Sequence, residues 1–406
     1  MVIPVGRDRS LGLAPASLRD YRELARRRLP RQLFDYVDGG AYEEVTMAAN
    51  LADLGRIRLR QRVLRDVSDP TLATTVLGED LSLPVVLAPV GLAGMFARRA
   101  EVQAARAASD AGVPFCESTV SICGLPEVAA ASRRPLWFQL YVMRDRSYAE
   151  DLMHRARDVG CTVLVLTVDL PVVGARYRDV RNGLEGRLAP LQQLRRRFDF
   201  ARHPAWVRDV ALAGKPLTFG NLEQAVPGAS TPEAFKEWVD GQFDPSVTWE
   251  DLAWVREHWT GKLVLKGILD PEDARQAVAR GADGVVVSNH GGRQLDAVPS
   301  TASVLPSIVD AVGHDAEVLV DGGIRSGLDV VKALALGARA CLIGRPWVYA
   351  VAARGEIGVA HVLRIVRREM EVAMGLTGFT DVGDLGRTAL ADNVEPTTDG
   401  RSGGRR

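Results

Sequence analysis

Eight short runs of near-continuous hydrophobicity punctuate the chain: PVVLAPV (84–90), PFCEST (114–119), LWFQLYV (136–142), VLVLTVD (163–169), KLVLKG (262–267), GVVVSNH (284–290), EVLVDGG (317–323) and ACLIGR (340–345). Their β-branched content and lack of polar alternation fit strands buried on both faces. Helical patterns lie between them. PEDARQAVARGA (271–282), for example, opens on Pro with acids in its first turn and closes near Gly. Strand and helix alternate in the rhythm of βα units, which predicts a (β/α)8 TIM barrel over about 84–375. A doubly wound open sheet is the alternative.

Three segments fall outside that rhythm. Residues 15–45 read as an N-terminal helical segment leading into FDYVDGGAYEE (34–44). Residues 172–247 form a long insertion after the fourth strand, too long for a structureless loop without a task. The polar, Gly-rich tail 391–406 is expected to be disordered. The body of the chain, 15–385, reads as a single domain.

Composition narrows the function classes. Acidic and basic residues balance at 51 each, so no global field draws the chain to nucleic acid. Cys116, Cys123, Cys161 and Cys341 show no CxxC pair and no metal-ligand spacing, and they read as core thiols of a reducing compartment. The N-terminus lacks an apolar signal core and no stretch is long enough to span a bilayer. The expected location is therefore the cytoplasm, with attachment to the inner face of the cell membrane still open.

TIM-barrel chemistry resides at the C-terminal ends of strands, and here seven of the eight ends carry reactive or hydrogen-bonding groups. Ser118 ends the second strand; Gln139 and Tyr141 lie on the third; Thr167 and Asp169 end the fourth; and Lys266 ends the fifth. Ser288, His290 and Arg293 follow the sixth, Asp321 and Arg325 the seventh, and Arg345 the eighth. Singly, each has an ordinary reading as a capping or rim residue; together they mark a site. SNHGGRQLD (288–296) is the strongest local motif. Its glycines permit a sharp turn and close ligand approach, His290 is a base suited to neutral pH, and Arg293 offers a fork for a carboxylate. DGGIRSG (321–327) and IGRP (343–346) sit on the two strands where such barrels bind phosphate.

These motifs, with APVGLAGM, WFQLYV, TVDLPVVGARYRD and KGILDPEDA, resemble those of the FMN-dependent L-2-hydroxy acid oxidases and dehydrogenases over roughly residues 18–385. Within that family the chain is most similar to the respiratory, quinone-linked L-lactate dehydrogenases. The resemblance implies His290 as the active-site base and Asp169 as its carboxylate partner. It implies that Arg176 and Arg293 bind the substrate carboxylate with Tyr36, and that Tyr141 contacts the substrate hydroxyl. For FMN it implies Lys266, Gln139, Thr167 and Ser118 around the ring and the backbone of Pro89, Val90 and Gly91 along it. Asp321 reaches the ribityl chain, and Gly323, Arg325, Gly344 and Arg345 hold the phosphate. No metal is implied, and the family points to a homotetramer. The base takes either the Cα proton or the hydroxyl proton with hydride transfer; both routes fit this set.

The resemblance leaves a choice of partners. The substrate is L-lactate or, given the small residues Gly91 and Val120, an aromatic 2-hydroxy acid such as mandelate. The acceptor is quinone or, in a soluble oxidase, oxygen. A lyase or isomerase acting on a phosphorylated metabolite would not call for Gln139, Thr167 and Lys266 together, and a silent binding barrel would not keep the base and arginines. Stretch 188–217 mixes Arg195, Arg196, Arg197, Arg202 and Arg208 with Phe198, Phe200, Trp206 and Leu212. Such interleaving fits a segment lying against an anionic membrane surface, where a lipid-soluble quinone is met.

Overall fold

Each of the eight apolar runs becomes a strand: β3 (Val85–Leu87), β4 (Cys116–Ser118), β5 (Trp137–Leu140), β6 (Val163–Thr167), β7 (Lys262–Ile268), β8 (Gly284–Val287), β9 (Glu317–Val320) and β10 (Ala340–Ile343). The computed structural model describes residues 15–184, 188–222 and 241–391. The strands pair in parallel in the order β3-β10-β9-β8-β7-β6-β5-β4. A parallel bridge between Leu87 and Phe115 brings the two ends of that series together, so the sheet closes on itself. This is a (β/α)8 barrel, as the alternation of runs predicts, and the doubly wound sheet is set aside.

Alternation along each strand builds two apolar layers. Val86, Val163, Val165, Val264, Val286, Leu319 and Leu342 point inward and pack as one cluster. Val85, Leu87, Phe138, Leu164, Leu166 and Val285 point outward against the helices. The helices between strands are α4 (Ala100–Asp110), α5 (Leu125–Ala131), α6 (Arg146–Asp158), α9 (Asp251–His258), α10 (Pro271–Ala279), α11 (Thr301–Val312) and α12 (Gly327–Ala335). The chain's longest helix, α13 (Arg345–Thr377), follows β10 and breaks at Arg354–Gly355, where Gly355 takes a φ of 60°. The four cysteines are free and buried, Cys116 among them inside the barrel.

Sequence patterning missed a hairpin of β1 (Thr74–Val76) and β2 (Glu79–Leu81). Its Val76, Leu77 and Leu81 join the inner cluster and plug the N-terminal end of the barrel. Glu79 fastens the plug, accepting hydrogen bonds from Trp137 Nε1 at the start of β5 and from Thr162 Oγ1 just before β6. Leu77 N–H donates to Glu317 at the start of β9.

The N-terminal segment forms α1 (Leu18–Arg28), α2 (Arg31–Asp38) and α3 (Val45–Arg56). Ser17 and Asp20 cap α1 reciprocally. In the insertion, α7 (Tyr177–Asn182) and α8 (Pro190–Ala201) precede a short helical stretch over Pro204–Leu212. No residue of α8 is buried, and Leu191, Leu194 and Phe198 stand exposed on it. Trp206, grouped above with the lipid-facing residues, is instead buried: its Nε1 donates to Met95 O and its ring packs on Phe200. The indole N–H has found a protein partner, so it does not serve a membrane interface. The tail for which disorder is expected lies, from residue 392 onward, outside the described residues.

Replacing Glu79 by Ala leaves the Trp137 and Thr162 donors unpaired at the barrel floor. We expect a loss of about 1–3 kcal/mol in unfolding free energy, measured by denaturant titration, with the opposite mouth unaltered.

Candidate active site

The C-terminal ends of the strands open into a cavity lined by most of the residues singled out above. It runs past Pro89, Val90 and Gly91, Gln139 and Tyr141, Thr167, Lys266, and His290 with Arg293. It continues to Asp321, Gly323, Arg325, Gly344 and Arg345, and Tyr36 and Arg176 also line it. Three predicted residues stand one layer behind: Asp169, which meets His290, Ser288, which meets Lys266, and Ser118, whose hydroxyl donates to Gln139 Oε1 at 3.0 Å.

At the centre lies a buried ammonium. Lys266 Nζ is 2.9 Å from Asp321 Oδ2 and donates to Ser288 Oγ at 2.9 Å. Burial works against its charge, but Asp321, then Asp169, outweigh burial and hold its pKa above the ordinary lysine value. Ser288 Oγ also accepts the His290 backbone N–H at 3.0 Å, so a single hydroxyl links the lysine to the histidine turn. That turn is left-handed at three successive residues, with φ of 56° at His290, 65° at Gly291 and 74° at Gly292. The left-handed region is costly for His and natural for Gly, and such strain is characteristic of functional turns. A Cβ at position 292 would lie 2.7 Å from Met47 N, so the second glycine also admits α3.

His290 Nδ1 lies 2.9 Å from Asp169 Oδ1. With Nδ1–H donating to the carboxylate, Nε2 carries the lone pair. Burial pushes the imidazole below its ordinary 6.5; Asp169 pulls it up, and Lys266 and Arg176 push it down further. The ring is therefore a neutral base at pH 7. Asp169 is also buried, which raises its pKa, yet the His290 ring hydrogen-bonded to it and the Lys266 ammonium hold the carboxyl below the ordinary value. Gly267, with φ 114° at the β7–β8 register shift, permits this approach: a Cβ there would sit 2.5 Å from Asp169 Cβ.

Two guanidinium groups flank Tyr36, with Arg293 4.8 Å and Arg176 5.9 Å from the ring centroid. Arg293 donates to the carbonyls of Tyr36 (2.5 Å) and Gly39 (2.8 Å). Burial, followed by the neighbouring Arg176, pushes its pKa down to about 10. Two buried like charges beside one ring, with no carboxylate paired to either among the described residues, form a receptor for an anion. Burial raises the Tyr141 hydroxyl pKa, so it stays a neutral donor.

Arg345 performs a task that its motif did not reveal. Its Nε donates to Val37 O, one terminal nitrogen to Gly291 O and the other to Gly39 O, at 2.7–3.0 Å. It thus clamps the end of α2 to the histidine turn, and with a fourth N–H on Met47 Sδ one of the guanidinium's five donors is left for a ligand. Asn50 and Asn289 exchange a reciprocal amide pair at 2.8 and 2.9 Å, fixing α3 to the same turn. Asp38 gathers Arg22, Arg178 and Tyr349. Phe219, from within the insertion, and Phe243, near its C-terminal end, complete the cavity wall. The sequence pointed to none of these partners, because each depends on chain segments far apart.

The comparisons agree with this geometry. A family model described as FMN-dependent dehydrogenase matches residues 25–392. The chain is 58% identical over 379 residues to an L-lactate dehydrogenase of Caulobacter vibrioides, covering 93% of this chain and 98% of that one. It is 55% identical over 373 residues to an L-lactate dehydrogenase of Stenotrophomonas maltophilia, covering 92% and 98%. Among solved structures, it superposes on the monotopic membrane protein (S)-mandelate dehydrogenase with a TM-score of 0.87 at 38% identity, covering 93% and 100%. A mandelate oxidase follows at 0.78 and 42%, covering 93% and 98%.

Because Asp169 is the group that raises the His290 pKa, Asp169→Asn should lower it further. NMR titration of the ring protons should place the wild-type midpoint below 6.5 and that of the variant lower still. A midpoint that rises in the variant contradicts the arrangement.

Proposed function

The chain belongs to the family of FMN-dependent dehydrogenases, and we propose that it oxidises L-lactate to pyruvate on bound FMN and passes the electrons to a membrane quinone. The observation that carries the reading is the convergence, in one cavity, of a neutral histidine base, two carboxylate-seeking arginines and a buried lysine.

The residues present fit the cofactor. Gln139 Nε2 and Asp321 Oδ1 are buried without a hydrogen-bond partner among the described residues. A flavin ring edge and a ribityl hydroxyl would supply the missing partners, and buried polar groups of this kind are costly if left alone. Gln139, Thr167, Ser118 and Lys266 would hold the ring, with the backbone of Pro89, Val90 and Gly91 beside it. Asp321 would take the ribityl chain. The phosphate would lie on Gly323, Arg325, Gly344 and Arg345, where the first turn of α13 has no side-chain cap. When bound, FMN accepts the two electrons removed from the substrate. The Lys266 charge stabilises the negative charge that develops there.

Arg293 and Arg176 orient the substrate carboxylate, Tyr36 forms the surface between them, and the Tyr141 hydroxyl meets the substrate hydroxyl. His290 Nε2 takes the proton, and Asp169 stabilises the imidazolium that results. Proton removal from the substrate hydroxyl, with hydride departure from Cα, uses Nε2 without a buried carbanion.

For the acceptor and the location, the support lies in α8. It exposes Leu191, Leu194 and Phe198 among Arg195, Arg196 and Arg197, and Leu212 stands exposed beyond it. This is the profile of a segment resting in a headgroup region. No helix among the described residues is long and apolar enough to cross a membrane, so attachment would be peripheral, on the inner face. A structural relative is a monotopic membrane protein.

His290→Gln should retain the yellow cofactor and slow anaerobic bleaching by L-lactate by ~10²–10⁴; bleaching at the wild-type rate excludes His290 as the base. The protein should co-sediment with anionic vesicles, less so at high salt, and replacing 188–217 by a short linker should abolish this while L-lactate still bleaches the flavin. An intact protein that ignores vesicles and reoxidises rapidly in oxygen is a soluble oxidase.

A further inference from the structure

The insertion serves two ends. While α8 is exposed, the segment Leu217–Leu222 is wired into the barrel through one residue. Asn221 is buried, and both its side-chain amide and its backbone carbonyl are bonded. Nδ2 donates to Glu117 Oε1 (3.1 Å) and Ser118 O (3.3 Å), and Oδ1 accepts Leu125 N–H at the start of α5 (2.8 Å). Its carbonyl accepts Tyr148 Oη–H (2.6 Å) and an Arg155 N–H (2.9 Å). Gly220 N–H donates to Ser121 O, and a Cβ at 220 would lie 2.4 Å from Gly124 N. The backbone is thus pressed against the β4–α5 connection, leaving Phe219 no freedom but to face the cavity that it lines.

Glu117 makes the latch unusual. It projects from β4 away from the barrel interior and is wholly buried, and burial pushes its carboxyl well above the usual range. One of its oxygens accepts the Asn221 amide. Its neighbour in sequence, Ser118, contacts Gln139 of the cofactor site. The same β4 residues that support the ring site therefore hold the insertion in place.

We propose that Phe219, locked by Asn221, is the wall that limits the substrate's side chain to a small aliphatic group, with Asn221 as the positioning residue. This rests on the reading of the chain as a 2-hydroxy acid dehydrogenase and specifies its substrate class. Phe219 lies on the side of the cavity formed by Val120 and Gly91, since Gly220 is bonded to Ser121 and Leu92 N–H to Val120 O. The aromatic Phe243, held by the Met143–Phe243 bridge and packed at 5.1 Å on Tyr141, closes the adjoining side. A phenyl ring filling the space beside the substrate's Cβ admits a methyl group and excludes a second ring.

The test is the ratio of kcat/KM for L-mandelate over L-lactate, measured by anaerobic flavin reduction in holoenzyme. A pocket difference of one methylene is worth ~10–200-fold, so Phe219→Ala should raise the ratio by tenfold or more, with Phe219→Val as the second variant if Ala does not fold. A smaller change in both overturns the assignment. Asn221→Ala should move the ratio in the same direction; a lower Tm with an unchanged ratio makes Asn221 merely structural. Wild-type flavin that no 2-hydroxy acid bleaches overturns the underlying reading instead, and the two failures are distinct.

Discussion

An ammonium group placed inside a barrel is tolerated only when anions and acceptors surround it, and that constraint orders the whole C-terminal end of this structure. Lys266 leaves β7 into a space that must offer compensation. Asp321 supplies it from the end of β9 and Ser288 from the end of β8, with Asp169 from β6 adding a second negative charge. Because these groups come from four adjacent strands, the ion pair is satisfied only when the barrel is in register. The same Ser288 holds the His290 N–H and the same Asp169 holds the imidazole. The imidazole is therefore oriented by the groups that neutralise the lysine. One buried charge makes the fold and the chemistry interdependent.

Around that centre the protein stacks clamps rather than loops. Arg345 joins α2 to the histidine turn through three carbonyls, and Asn50 with Asn289 joins α3 to it. Asp38 draws Arg22 of α1, Arg178 of α7 and Tyr349 of α13 to one carboxylate, whose pKa is held low by those cations against the pull of burial. The N-terminal helices, lying outside the barrel in sequence, are thus structural parts of the rim.

Much of this was legible from the residues alone, for a physical reason. Strands buried on both faces must be apolar throughout, so runs such as VLVLT and GVVV announce themselves, and the groups following them are obliged to point into the mouth. His290, Asp169, Lys266 and Arg293 could be placed because strand-end position determines direction. What stayed hidden depends on distant contacts. TTV and EDL are too short for a period to show, so the β1–β2 hairpin leaves no trace in the pattern. Trp206 in a basic stretch reads as an interfacial residue until Met95 O is seen to accept its N–H. Phe219 and Phe243 enter the cavity only because the insertion folds back on the barrel mouth, and the carbonyl partners of Arg345 lie about three hundred and about fifty residues away in sequence.

The hairpin plug has a consequence for traffic. With Val76, Leu77 and Leu81 filling the floor, the barrel is closed at that end among the described residues, and the cavity opens at the other. A small molecule bound in the cavity therefore enters and leaves by the rim that carries the insertion. Entry and departure are thus consecutive events at a shared threshold.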